Sequence, residues 1–368
     1  MGASGSTWAT QGTADTGPTS QTLAGGGPAA PEGTAGADPV RRAAHTVAGL
    51  FTPVLPHAPG ARIICGTAEP ALLGPAFSGF TAASVAGCSA RPNRAYERCL
   101  GEAVEYLSQL SPDKDRLRQG EGVAATDLRT GGGAMVPAEI CLRTRDSQKR
   151  RIGSGCAAGR TAAEAASSGL WELVERDALV SWWYEGHAPR PLDRRAASGA
   201  EQYLQLLRGG AGGRRTILID ISAHPDLPAV AACSFGPDGK GFVAGFAAHA
   251  DTLVAARKAI RELMQMEFGL LLVEAKVSAG LPLNEDELRQ RRRADVSVDH
   301  PALAVRGGAR DSVPSSSPEE LLERGLAAVP GPVHAVDLTR ADFGIPVAKI
   351  VAPALREVPR DAHDVGLL

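Results

Sequence analysis

Apolar residues recur at three- and four-residue spacing in three stretches of the chain. The first follows Arg91-Pro92-Asn93, where Ala95, Cys99 or Leu100, Ala103 and Leu107 within RAYERCLGEAVEYLSQL predict one face of a helix. The second opens at Thr161-Ala-Ala-Glu164, a capping-box pattern, and runs to about Tyr184. The third spans Asp251 to about Glu274, and Ser317-Pro318-Glu319-Glu320 caps a further helix. Between these lie short apolar runs bounded by Gly and Pro, which read as strands. They are a block over 61–89, AMVPAEICLRTR after Gly131-Gly132-Gly133, RRTILIDIS (214–222), AVAACSF (229–235) and GFVAGFAAHA (241–250). PVHAVDLTR and IPVAKIVAP add two late strands, and Pro237-Asp238-Gly239 predicts a hairpin. Strands and helices mix without a regular βαβ beat or a repeat detectable in the sequence, so the expected fold class is α+β. Residues 281–317 are polar, with the basic run Arg289–Arg293 and the cluster Ser315-Ser316-Ser317, and predict an exposed loop or lid.

Composition changes the picture at the amino end. Of residues 1–40, 31 are Gly, Ala, Thr, Pro or Ser, and only Met1, Trp8, Leu23 and Val40 offer large apolar side chains. Such a segment cannot offset its ordering entropy, so a disordered extension over 1–40 and one folded domain over 41–368 are expected. The extension has no basic start followed by an apolar run, so it is not a secretory signal. No apolar run approaches the roughly 18 residues of a membrane helix. With 39 Lys+Arg against 41 Asp+Glu, the net charge of −2 excludes nucleic-acid or membrane binding through bulk positive charge. Cys65, Cys88, Cys99, Cys141, Cys156 and Cys233 form no CxxC pair and no disulfide spacing, which predicts a reduced, cytoplasmic setting.

Several familiar chemistries are missing. There is no GxxxxGK[ST] phosphate loop, no GxGxxG and no HExxH, and the eight histidines are scattered singly. Cys156, in the turn Ser154-Gly155-Cys156, has no local His partner and reads as a small residue filling a tight turn.

Glutamates on helices stand out instead. At about 100° per residue, Glu164 and Glu172 lie about 80° apart with Glu175 between them, and Arg176 sits just outside that arc. Leu170, Trp171, Leu173, Val174, Ala178, Leu179, Trp182 and Trp183 surround them, so the helix is apolar nearly all round and buried. Carboxylates there need cations or hydrogen bonds. Glu102 and Glu105 repeat the arrangement on the first helix. Hard oxygen donors from two buried helices suit a Mg²⁺-nucleotide cluster. The competing explanation is a set of buried salt bridges with Arg176, and Glu164 has the simpler role of N3 partner to Thr161.

The run SGCAAGRTAAEAASSGLWELVERDA resembles the central signature of the YcaO superfamily. GCSARPNRAYERCLGEAVEYLS, AARKAIRELMQ and PVAKIVAPAL extend the resemblance over roughly residues 60–356. It implies a YcaO-like fold with mixed or antiparallel sheets and glutamate-bearing helices around an ATP-Mg²⁺ site. It also implies ATP-dependent phosphorylation of a peptide amide oxygen in a ribosomally made precursor, giving azoline or macroamidine rings by cyclodehydration. Thioamide formation with a sulfur-transfer partner is the alternative outcome, and a noncatalytic peptide- or partner-binding scaffold the alternative from another class.

Carried over residue by residue, the family's Asn-x3-Glu-x7-Glu-x2-Glu-Arg spacing falls on Arg160, Glu164, Glu172, Glu175 and Arg176. The Ser-x2-Glu-x2-Glu-Arg pattern falls on Cys99, Glu102, Glu105 and Tyr106, and Arg-x3-Glu on Lys258 and Glu262. The resemblance therefore implies nucleotide contacts from Glu102, Glu105, Glu164, Glu172, Glu175, Glu262, Arg176, Lys258 and Arg160, with Glu102, Glu105, Glu172 and Glu175 as metal ligands. It singles out no catalytic acid or base. Cys99, Tyr106, Arg160 and Lys258 depart from the pattern; Lys258 offers phosphate a point charge without the guanidinium fork. Neither a proline-rich carboxyl terminus nor a fused peptide-binding domain is seen. A precursor peptide, a separate peptide-binding or sulfur-transfer protein and a homodimer are the partners to expect.

Overall fold

The computed structural model describes residues 39–112, 122–145, 152–311, 314 and 317–358. Residues 1–38 of the expected extension lie outside them, and so do Ser315 and Ser316 of the serine cluster. Helix α1 (Pro39–Ala44) already includes Val40, which packs beside the fully buried Ala43.

Strands β1 (Val47–Phe51), β2 (Arg62–Ala68) and β3 (Ala83–Ser89) form an antiparallel meander, and α2 (Pro92–Ser108) returns across it. The hairpin β4 (Gly122–Asp127) and β5 (Gly133–Pro137) comes next, then the short β6 (Cys156–Ala158) and α3 (Ala162–Leu179). The run AMVPAEICLRTR keeps its extended form only to Pro137 and then closes into a 3-10 turn at Ala138–Ile140. Helix α4 (Arg194–Arg208), which no pattern had predicted, precedes a second meander of β7 (Arg215–Asp220), β8 (Ala229–Phe235) and β9 (Val243–Ala248). That meander is crossed in turn by α5 (Thr252–Ser278). After α6 (Glu285–Arg293) and α7 (Pro318–Ala328), β10 (His334–Asp337) and β11 (Val347–Val351) enter the middle of a five-stranded sheet, order β5-β4-β10-β11-β6. Among the described residues the strand ladders are antiparallel, with one isolated parallel bridge between Leu110 and Arg143, and the α+β expectation holds.

A three-stranded meander followed by a helix thus occurs twice, as β1-β2-β3-α2 and β7-β8-β9-α5. The sequence hid this repeat because what the two units share is backbone contact rather than side-chain identity. In each, the helix lies so close on a strand that only glycine fits beneath it. A Cβ on Gly87 would stand 2.0 Å from Ala95 O, and one on Gly245 would stand 2.3 Å from Leu263 N.

Strand β8 is buried along its whole length and serves two cores. Ala229, Ala231, Cys233 and Phe235 pack with Leu170, Val174 and Trp182 of the α3 region. Val230 and Ala232 pack with α4 and α5 through Ala200, Leu204, Ala256 and Ile260. Strand β11 likewise points Ala348 and Ile350 into the α3 core and Val347 into the core around α2. Helix α3 is therefore enclosed between two sheets, as its all-round apolar surface requires.

Among the described residues of the polar stretch 281–317, part is helical where a loop or lid was expected, while 304–311 remain irregular and largely exposed. Asn284 and Glu287 form a reciprocal capping box that starts α6. Its acidic first turn and the basic Arg291-Arg292-Arg293 last turn complement the helix dipole. Beyond it, the 3-10 turn Pro301–Leu303 is fastened to the core. Trp182 Nε1 donates to Ala302 O at 2.6 Å, and His300 stacks on Trp183 at 4.8 Å between centroids. Both tryptophans belong to a single π-helical segment, Val180–Tyr184, that continues α3.

Candidate functional site

Helices α2, α3 and α5 converge on one acidic cluster, and the same device places most of its members. A helical glutamate reaches down to the nearest strand and accepts a backbone amide with one oxygen. Glu102 Oε2 accepts from Ala86 N at 2.7 Å, and Glu105 Oε1 from Ala158 N at 2.9 Å. Glu172 Oε2 accepts from Gly155 N at 3.1 Å, and Glu262 Oε2 from Phe246 N at 2.8 Å. These bonds orient the carboxylates without exhausting them. Among the described residues, the second oxygens of Glu102, Glu105 and Glu262 make no hydrogen bond.

Arg176 ties the α3 pair together, with Nη2 3.3 Å from Glu172 Oε1 and Nη1 3.2 Å from Glu175 Oε1. The Nη1 contact is an ion pair without hydrogen-bond alignment, so one guanidinium donor stays unsatisfied. Burial lowers the proton affinity of Arg176, but Glu175, Glu172 and Glu262 outweigh it and hold the guanidinium firmly charged.

One cation does not balance this set. Burial pushes Glu102 up to about 7 and Glu262 up to about 8, the latter aided by the neighbouring Glu175. Glu105 and Glu172 are raised for the same reason, and carboxylate neighbours add to the rise. Lys258 is lowered by burial and by Arg261, while Glu175 and Glu172 draw it back towards charge. Carboxylates that hold protons at neutral pH are short of positive charge. The donor set therefore suits a divalent cation in kind: hard oxygens, several of them free, next to an arginine and a lysine able to meet phosphate. Among the described residues, no three His, Cys, Asp or Glu side chains are gathered tightly enough to enclose an ion. The reason is visible in the bonds above, which turn each carboxylate towards a strand or towards Arg176.

Beside the cluster opens a narrow cleft, lined among others by Arg98, Glu175, Lys258, Arg261 and Glu262. Seven of the residues singled out in the sequence meet in the cluster, Glu102, Glu105, Glu172, Glu175, Arg176, Lys258 and Glu262, and of these Glu175, Lys258 and Glu262 also line the cleft. Glu164 and Arg160 do not join them. Glu164 lies about 12 Å from Glu172 along the helix axis. Its amide donates to the Thr161 cap at 3.1 Å, and its carboxylate accepts from both Arg160 N and Arg160 Nε, at 2.9 and 3.0 Å. Thr161 therefore caps the helix through the Glu164 amide, while the carboxylate turns to Arg160 instead of the Thr161 amide and leaves the capping box half formed.

Two of the departures from the family pattern also point elsewhere. Cys99 is fully buried with Sγ on Val85 O, and the Tyr106 hydroxyl donates to Thr81 O. Cys156 is buried in β6, and burial pushes its thiol up to about 12. Arg98 and Arg261 escaped the sequence reading. Arg98 could have been found, because Arg98-x3-Glu102 has the spacing of Lys258-x3-Glu262.

No curated protein matches the chain. Among solved structures, a heterocyclase in complex with substrate and cofactor superposes with a TM-score of 0.65 at 19% identity, over 88% of this chain and 53% of that one. The chain thus spans about half the length of that heterocyclase. A YcaO from Methanopyrus kandleri bound with AMPPCP and Mg²⁺ gives 0.63 at 19% identity, covering 89% of this chain and 90% of that one. A chain of the E. coli microcin synthetase McbBCD complex gives 0.50 at 14% identity, over 83% and 87%. Residues 113–356, two thirds of the sequence, match the family model described as YcaO cyclodehydratase, ATP- and Mg²⁺-binding, and the chain belongs to the YcaO family.

Proposed function

We propose that this chain is an ATP- and Mg²⁺-dependent enzyme that activates a backbone amide of a ribosomally made precursor peptide for cyclodehydration, closing an azoline or macroamidine ring. The observation that carries the proposal is the convergence of five glutamates, Arg176 and Lys258 from three helices on one cluster beside a cleft. Glu102, Glu105, Glu172 and Glu175 would hold the metal, with Glu262 beside them. Arg176 and Lys258 would neutralise phosphate oxygens, and Arg160 with Glu164 would meet the nucleotide further along α3. Bound ATP supplies a phosphoryl group that turns an amide oxygen into a leaving group. The protein's own work is positioning and charge neutralisation, which dominate phosphoryl transfer. No residue is assigned as catalytic acid or base.

The folded unit would span 41–368 after a dispensable extension, in a homodimeric protein whose unpaired cysteines suit the cytoplasm. A separate peptide-binding protein would present the precursor, in keeping with the multi-protein microcin synthetase among the structural relatives. The second reading is a noncatalytic scaffold, favoured by the engagement of Cys99 and Tyr106 with strand and loop carbonyls rather than with the cluster.

Calorimetric titration with ATP and Mg²⁺ tests the site. Binding by the native chain and its loss in a Glu172→Gln, Glu175→Gln double variant are expected; equal binding by both refutes the assignment. Incubation with precursor, partner protein, ATP and Mg²⁺ then tests the reaction. Loss of one water from the peptide supports cyclodehydration, and exchange of oxygen for sulfur supports thioamide formation instead. Absence of peptide-dependent phosphate release supports the scaffold.

A further inference from the structure

The doubled meander-and-helix unit makes two positions in the cleft equivalent. Glu102 on α2 and Glu262 on α5 each accept the amide of the residue sixteen positions earlier, Ala86 and Phe246. Four residues before these glutamates, one helical turn away on the same face, stand Arg98 and Lys258. Three residues after them stand Glu105 and Gln265. The spacing that assigns Lys258 to phosphate therefore selects Arg98 as its counterpart on the other helix, and both line the same cleft together with Arg261.

These cations are not used up by the fold. Arg98 gives Nη1 to Cys88 O at 2.7 Å, but its Nε is buried and makes no hydrogen bond. Among the described residues, Lys258 and Arg261 form no hydrogen bond and no ion pair. The three also face one another. Burial and then Arg261 push Arg98 down to about 9, and the same two causes lower Lys258. Three cations line one cleft whose walls carry only Glu175 and Glu262 as carboxylates, and this excess of positive side chains calls for a polyanion.

We infer that Arg98 and Arg261 are phosphate-binding residues of this chain, gripping the polyphosphate of the nucleotide together with Lys258. The inference rests on the ATP reading above and goes beyond its motif residues. A guanidinium presents two parallel donors to a phosphate, where the ammonium of Lys258 presents a point charge. Arg98 and Arg261 thus restore the fork that lysine at 258 lacks, from positions outside the family pattern. A grip of this kind acts on the phosphates whether or not the metal is present.

The test titrates the full chain with ATP, inorganic triphosphate and AMP, each with Mg²⁺ and with a chelator. The native chain binds ATP and triphosphate, and weakly so even without metal. Arg98→Gln and Arg261→Gln each weaken ATP and triphosphate by about tenfold or more, the worth of a charged hydrogen bond, and leave AMP within about threefold. Their ligand-free melting temperatures equal or exceed that of the native chain, because a crowded charge has gone. Arg98→Lys keeps the charge without the fork and falls between; it also carries the test if the Gln variant does not fold. Triphosphate affinities of the variants within about twofold of native overturn the inference alone. Native binding of ATP without any binding of triphosphate does the same. A native chain that binds neither overturns the ATP reading along with it.

Discussion

Replacing Gly245 by Ala adds one methyl group and should disturb both stability and the site. The new Cβ would lie 2.3 Å from Leu263 N, 2.4 Å from Ala259 O and 2.9 Å from Glu262 C, all backbone of α5. No side chain can swing aside, so the helix must withdraw from β9 by about 1 Å to reach van der Waals contact. Overpacking of this kind costs about 1–3 kcal/mol. The same retreat stretches the 2.8 Å bond from Phe246 N to Glu262 beyond hydrogen-bonding range, adding about 1–2 kcal/mol. Alanine's smaller unfolded-state entropy returns about 0.4–1 kcal/mol, so strain wins by about 1–5 kcal/mol. For roughly 300 ordered residues, an unfolding entropy of about 2.1 cal/mol/K per residue converts this into a fall of about 2–8 °C in melting temperature.

Calorimetric scans would measure that fall against Gly212→Ala, where a Cβ meets nothing within 4 Å and the melting temperature should hold or rise slightly. Because Glu262 and Lys258 move with α5, ATP affinity should fall in Gly245→Ala and not in Gly212→Ala. Equal melting temperatures for the two variants would refute the packing argument. A lower melting temperature with unchanged ATP affinity would refute the link from glycine to site.

Two pH dependences of opposite sign follow from other buried carboxylates. Burial raises Glu267, but hydrogen bonds from Arg208 and His57 overcome it and hold the carboxyl at about 2, below its ordinary 4.5. Its contribution, about 3 kcal/mol, is full above pH 4.5 and is lost as pH falls towards 2. Acid unfolding of Glu267→Gln should lack that limb, and an unchanged acid midpoint would count against the network. Glu102 and Glu262, at about 7 and 8, do the reverse: the folded chain keeps protons that the unfolded chain releases near 4.5. Ligand-free stability should therefore decline as pH rises from 4.5 through 8, and Glu262→Gln should flatten the decline; equal melting temperatures at pH 6 and pH 8 in the native chain would contradict this.

Helices α2, α3 and α5 were legible because burial wrote itself into apolar spacing and because Thr161 and Asp251 cap where the pattern starts. The glutamates were legible for the complementary reason, that charge among apolar neighbours needs a partner. Helix α4 was not. Its buried face rests on Ala196, Ala200, Leu204 and Leu207, and small alanines give a faint apolar signal. Helix α6 has no buried residue, so only its caps and end charges identify it, and these read equally well as a charged loop. Which carboxylates share a point depends on how closely each helix lies on its strand. The sequence shows a glycine there but not the carbonyl above it. Glu164 shows what helical-face reasoning leaves open: it shares a face with Glu172, and the angle alone does not say that about two turns separate them along the axis.

The glycine seat beneath each of two helices also restricts how this protein can drift over generations. Glutamate is just long enough to cross from helix to strand when glycine lies below. Aspartate, one methylene shorter, would leave the amide of Ala86 or Phe246 unbonded, and any larger residue at Gly87 or Gly245 would lift the helix out of a glutamate's reach. Gly87 with Glu102, and Gly245 with Glu262, should therefore be inherited as pairs, kept together or lost together. Lys258 touches no strand amide and can be exchanged alone, so descendants of this chain should vary their cations long before they vary these two pairs.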